Sequence, residues 1–160
     1  MKKRFLVLLT FVPIIAGYIL NHTILLPGIG VLISYVLPLL TTAFWFYLGR
    51  QFAHTTWKTI PAILIGNTTG IVSILVYLWQ FLLETDKTRN MTLAGVSQMF
   101  SSSAPAFLLA RIALLFESEP NTIGMASAVA LQILSVMYMI AIFCVAFLWE
   151  KNRIHNTSIE

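Results

Sequence analysis

The chain has 160 residues, of which 58% are hydrophobic and 10% charged, against about 25% charged in a soluble globular protein; an ordinary water-soluble domain is excluded. Its net charge of +4 comes from Lys and Arg scattered over several short segments, with no basic face or stripe, so nucleic acid is not expected as a partner. The single cysteine, Cys144, lies in an apolar run, which excludes a disulfide framework and a paired-cysteine metal site and leaves a small buried hydrophobe.

These numbers predict an all-α, polytopic membrane bundle, a single membrane domain over residues 1–160 with no soluble module and with the lipid bilayer as its surroundings. A helix needs about 20 mostly apolar residues to cross the hydrocarbon core, and five segments are long enough. Residues 5–26 follow the basic start MKKR. Start and stretch together resemble a secretory signal, but no Ala-x-Ala-like site follows, so the segment reads as an uncleaved first span. Pro13, Gly17 and Asn21 share one of its faces, as expected of a kink and a packing contact.

Pro27-Gly28 turns the chain into the second span, residues 31–49, where Ser34, Pro38, Trp45 and Gly49 form a similar face. Arg50 and Lys58 flank the next link, and Thr59 with Pro61 marks the start of the third span, residues 60–83. Steps of four and three from Gly66 reach Gly70, Ser73, Tyr77, Gln80 and Glu84, which puts a small-to-polar stripe on one helix face. Asn67 sits beside that stripe, with Thr68 and Thr69 further round.

Two explanations of the stripe are open. In the first, Gly66 and Gly70 are a helix-packing pair that lets another backbone approach, with Asn67 or Thr69 bonding across the contact for about 0.6 kcal/mol. In the second, the stripe lines a polar cavity facing the fourth segment, residues 91–116, which carries Ser97, Gln98, Ser101, Ser102, Ser103 and a helix-breaking Pro105. Interrupted helices at mid-membrane are how many transporters build substrate sites.

The fourth segment either crosses or dips in and returns. If it crosses, six Lys and Arg lie inside and four outside; if it dips, seven and three, and the charge rule favours the dip. A re-entrant backbone, however, must be sheltered by protein or by a water-filled cavity. That is demanding for so small a bundle, and five crossings are expected. Arg111 would cost about 2.5 to 3.5 kcal/mol at the bilayer centre, so it either snorkels to headgroups or meets an anionic ligand. In a dip it could pair with Glu84.

Pro120-Asn121-Thr122 introduces the last span, residues 124–149, which has a small face of Gly124, Ala128, Gln132 and Ser135. Trp45, Trp57, Trp79 and Trp149 fall near segment ends, as an interfacial belt requires. Lys2, Lys3 and Arg4 precede the first span while the link after it has no cation, which predicts a cytoplasmic amino terminus in a cell membrane.

Every carboxylate and histidine lies in a link, at a span edge or in the tail, whereas intramembrane chemistry needs titratable groups within the spans. No zinc-binding H-E-x-x-H and no G-x-S-x-G elbow occurs. A non-enzymatic protein without metal or cofactor is expected. One expectation for its role is a membrane component of a transport system that binds a small solute between segments 60–83 and 91–116, powered by a partner such as an ATPase assembly. Its candidate ligand-binding residues are Asn67, Thr69, Ser73, Tyr77, Gln80, Gln98, Ser101 and Arg111. The other is an interaction protein, a regulatory, assembly or immunity-type subunit that docks a membrane partner's helices through glycine and serine faces.

Overall fold

The structure, a computed structural model, describes residues 2–105, 109, 110, 113 and 123–157. It is a helical membrane bundle, with no strand among the described residues. Helix α1 spans Lys3–Leu9, α2 Val12–Thr23, α3 Ile29–Ala53, α4 Thr59–Leu78, α5 Met91–Ser102 and α6 Met125–Thr157. A π turn, Trp79–Leu83, prolongs α4.

Helices α1 and α2 together form one stretch long and apolar enough to cross a membrane, Lys3–Thr23. It is broken at Thr10 and Phe11 because Pro13, in the first turn of α2, has no N–H to give back to the preceding turn. Pro38 does not break α3. One turn on, Thr41 and Thr42 donate their hydroxyls to the carbonyls of Leu37 and Pro38, at 2.9 Å each. The other stretches able to cross are Ile29–Ala53, Thr59–Leu83 and Met125–Thr157.

Four contacts define one end of the bundle. Glu150, late in α6, pairs with Arg50 at the end of α3 and with His54 just beyond it. Lys151 bonds to Thr59, the first residue of α4, and the Lys3 ammonium lies 5.4 Å from the centre of the Trp57 ring. The start of α1 and the end of α6 therefore share an end, so the chain traverses the bundle an even number of times.

This corrects the expectation of five crossings. Helix α5 has 12 residues, about 18 Å at 1.5 Å per residue, short of a hydrocarbon core of about 30 Å. It enters beside Gln80 and stops inside the bundle at the level of Gly17 and Gly70. The shelter that a re-entrant backbone needs is supplied by Gly17: a β-carbon there would stand 1.8 Å from the Met99 carbonyl oxygen. Arg111, the expected partner of Glu84 in a dip, lies outside the described residues; Glu84 accepts from Trp79 Nε1 at 3.0 Å.

The centre of the bundle is aromatic. Trp45, Phe52, Phe100, Phe143 and Phe147 pack together with Leu48 and Met139, all buried. Because lipid tails are as apolar as leucine, it is the fit of these rings, rather than removal from water, that holds the helices together.

Candidate functional site

The stripe on α4 faces inward along its length. Gly66, Asn67, Gly70, Ser73 and Tyr77 are buried, and so is Gln80 in the π turn. Its glycines do not admit a backbone. The Phe143 ring of α6 lies over Gly66 and the Phe100 ring of α5 over Gly70, at 2.2 and 2.6 Å from where a β-carbon would stand. Close backbone approach occurs at other glycines, Gly17 against the Met99 carbonyl and Gly49 against the Phe143 carbonyl.

Asn67 closes on its own helix, donating from Nδ2 to the Ile63 carbonyl at 2.9 Å. Its Oδ1 is buried with no hydrogen-bond donor, as is the Trp45 Nε1–H with no acceptor. The bond across the helix contact belongs to Thr69, whose hydroxyl donates to the Thr10 carbonyl at 2.9 Å. That carbonyl is free to accept because the Ile14 N–H, its partner in an unbroken helix, turns instead to Phe11 O.

Gln80 ties the π turn to the entry of α5. In the π turn the Glu84 N–H bonds to Trp79 O and leaves the Gln80 carbonyl to Arg89 Nε, at 2.9 Å. The Gln80 side-chain oxygen accepts from the Asn90 N–H at 2.8 Å. Asn90 in turn caps α5, accepting from the Leu93 N–H at 3.0 Å, as an N-cap asparagine does.

On α5, Ser97 donates to Ala94 O at 2.7 Å and Ser101 donates to Gln132 Oε1 of α6. Gln98 is half-buried.

A cavity of about 270 Å³ lies between α2, α4 and α5. Phe11 and Ile14 line it from the first span, Thr68, Thr69, Val72, Ser73 and Val76 from α4, and Leu93, Val96 and Ser97 from α5. Of the candidate ligand-binding residues it brings together Thr69 and Ser73, with Ser97 of the serine run beside them. Asn67, Tyr77, Gln80, Gln98 and Ser101 are not among its lining, and Arg111 lies outside the described residues. The hydroxyls of Thr68, Thr69 and Ser97 each donate to a backbone carbonyl, so what lines this space is mostly hydrocarbon rather than the polar wall expected. The Phe11 and Ile14 wall was missed; the signal for it was Pro13, which sets the break that brings those side chains round.

At the Lys3 end, Glu150 is 2% exposed and meets two guanidinium groups and an imidazole: Arg50 Nε at 2.6 Å, Arg153 at 2.5 Å and His54 Nε2 at 3.1 Å. Among the described residues no three His, Cys, Asp or Glu side chains come together to ligate a metal. No protein family, curated protein or solved structure matches the chain.

Proposed function

We propose that this chain is a non-enzymatic, multi-pass component of a transport system in a cell membrane, and that it takes up a small solute in the cavity between α2, α4 and α5. The observation that carries the reading is the cavity itself, which lies between the two helices whose polar residues suggested a site. Three of its four hydroxyls, those of Thr68, Thr69 and Ser97, are engaged with backbone, so the solute is one with a largely apolar body.

A transported solute requires a source of energy. No carboxylate lies at the centre of a span, where ion-coupled carriers keep such a group, so the work is assigned to a partner such as an ATPase assembly. The partner's place is the end of α6. That helix has 33 residues, about 50 Å, some 20 Å more than the hydrocarbon core, and its last turns, from Lys151 on, are exposed. With the amino terminus cytoplasmic, this end faces the cytoplasm. Docking through Gly66 and Gly70 is disfavoured, because the chain's own rings cover both.

The test is accumulation of a panel of radiolabelled amphipathic solutes by cells that make the chain or its cavity-filling variant Ser73→Phe, each checked for membrane insertion. Expected is one solute class whose uptake falls about tenfold or more in the variant, a loss of at least 1.4 kcal/mol of binding. Equal accumulation of every solute with both chains overturns the proposal.

A further inference from the structure

We infer that the cavity between α2, α4 and α5 is a binding slot for a single unbranched acyl chain, contributed by a phospholipid of the leaflet on the Met91 side. This deepens the proposed function by naming the ligand class, and it rests on the same cavity.

The mouth of the slot opens sideways. Phe11, Val72 and Val96 at its rim are 51%, 51% and 45% exposed. They stand on the flank of the bundle, where the neighbouring medium is hydrocarbon. The floor, by contrast, is buried: Thr69, Ser73 and Ser97. The Thr69 and Ser97 hydroxyls donate to Thr10 O at 2.9 Å and Ala94 O at 2.7 Å. Two of the three floor hydroxyls are thus engaged, which leaves the Ser73 hydroxyl as the one polar group of the floor not bonded to backbone.

Dimensions select the occupant. Along α4 the lining runs from Thr68 to Val76, about 12 Å at 1.5 Å per residue, close to the half-thickness of about 15 Å of a hydrocarbon core. A helix about 10 Å across fills about 940 Å³ over that length, more than the space between α2, α4 and α5 provides. The slot is too small for a partner helix, and its length suits an extended hydrocarbon chain. It lies beside α5, which enters from the Met91 end and stops inside the bundle, and this places the chain in the leaflet of that side.

The molecule provides its own control. A second flank cavity, of about 320 Å³, lies between α2 and α3 and is lined by Ile19, Leu32, Ile33, Val36, Leu37 and Leu40. None of these is buried, so this groove has no floor and offers what any lipid-facing surface offers.

The experiment reconstitutes the full chain in nanodiscs containing phosphatidylcholine with a diazirine on one acyl chain, and maps the photoproducts by mass spectrometry. Labelling of Phe11, Val72 and Val96 is expected to exceed labelling of Leu32 and Val36 about tenfold, the preference that 1.4 kcal/mol of binding provides. Val96→Trp, a rim change that leaves the floor intact, should bring labelling of Phe11 and Val72 down to the level of the control groove. Equal labelling of the two grooves in the wild type overturns the inference, since the slot then holds ordinary boundary lipid. Labelling by a diazirine fatty acid but not by the phospholipid overturns the assigned source.

The two proposals fail separately. Preferential labelling abolished by Val96→Trp, with solute uptake unchanged, removes the transport reading and leaves the slot. Uptake lost in Val96→Trp without preferential labelling does the reverse.

Discussion

The guanidinium of Arg50 and the carboxylate of Glu150, 100 residues apart in sequence, meet with Nε 2.6 Å from Oε2 and clasp the end of α3 to α6. The Arg153 guanidinium and the His54 imidazole complete the ring around one buried carboxylate. Removing the carboxylate leaves like charges facing one another with nothing between them. Glu150→Gln should therefore lower the melting temperature in detergent by several degrees, and Arg50→Met by less, because Glu150 keeps two partners. The Arg50→Met/Glu150→Met double variant should recover part of the loss, since mutual loss of a pair costs less than an orphaned charge. Additive losses in the double variant would show that the clasp contributes nothing as a pair.

The same clasp fixes topology. With α6 ending where α1 begins, the two chain ends must lie on one side of the membrane. Reporter fusions before Met1 and after Glu160 should read the same compartment, and the cations at that end, among them Lys3, Arg50, Lys58 and Lys151, predict that it is the cytoplasm. Reporters on opposite sides would restore the five-crossing arrangement and contradict the contact between Arg50 and Glu150.

Gly66 and Gly70 are seats for rings, and the consequence is specific. A methyl at Gly70 would intrude on the Phe100 ring at 2.6 Å and one at Gly66 on the Phe143 ring at 2.2 Å; over-packing of a filled core costs about 1–3 kcal/mol. Gly70→Ala should lower thermal stability in detergent, and Phe100→Leu in the same chain should restore part of it. Gly17→Ala should be worse and have no such rescue, because its neighbour is the backbone carbonyl of Met99 rather than a side chain that can be shortened. Absence of rescue at Gly70 would show that the contact is not with the ring.

Much of this architecture is legible in the sequence, for identifiable reasons. Long apolar segments announce spans because lipid leaves no alternative to a helix, and the stripe from Gly66 to Gln80 is readable because helix period alone sets which residues share a face. The re-entrant stop of α5 is not, since it depends on whether one particular glycine faces one particular carbonyl across the bundle. Nor is the clasp, whose partners no local spacing connects. The apolar character of the cavity is not legible either: a run of serines and threonines reads as polar, and only the geometry reveals that the hydroxyls of Thr68, Thr69 and Ser97 are answered by backbone carbonyls. At Thr69 that carbonyl, on Thr10 and 59 residues away in the chain, is free because Pro13 breaks the first span.

Asn67 and Thr69, two residues apart on α4, should respond to mutation in opposite ways. Thr69→Val keeps the shape of the side chain and removes its bond to the Thr10 carbonyl. A hydrogen bond between membrane helices contributes about 0.6 kcal/mol on average and about 1.7 at most, so a loss of stability within that range is expected. Asn67 makes no bond outside its own helix, and its Oδ1 is buried without a donor. Asn67→Leu replaces an unsatisfied acceptor with an apolar group of similar size, a change that is neutral or stabilising where the lost partner is a carbonyl already held in the helix. Thermal denaturation of the two variants in one detergent checks both expectations. If Asn67→Leu proved the more damaging of the two, the amide would have to meet a partner in the membrane, and Asn67 would have a polar role beyond its own helix.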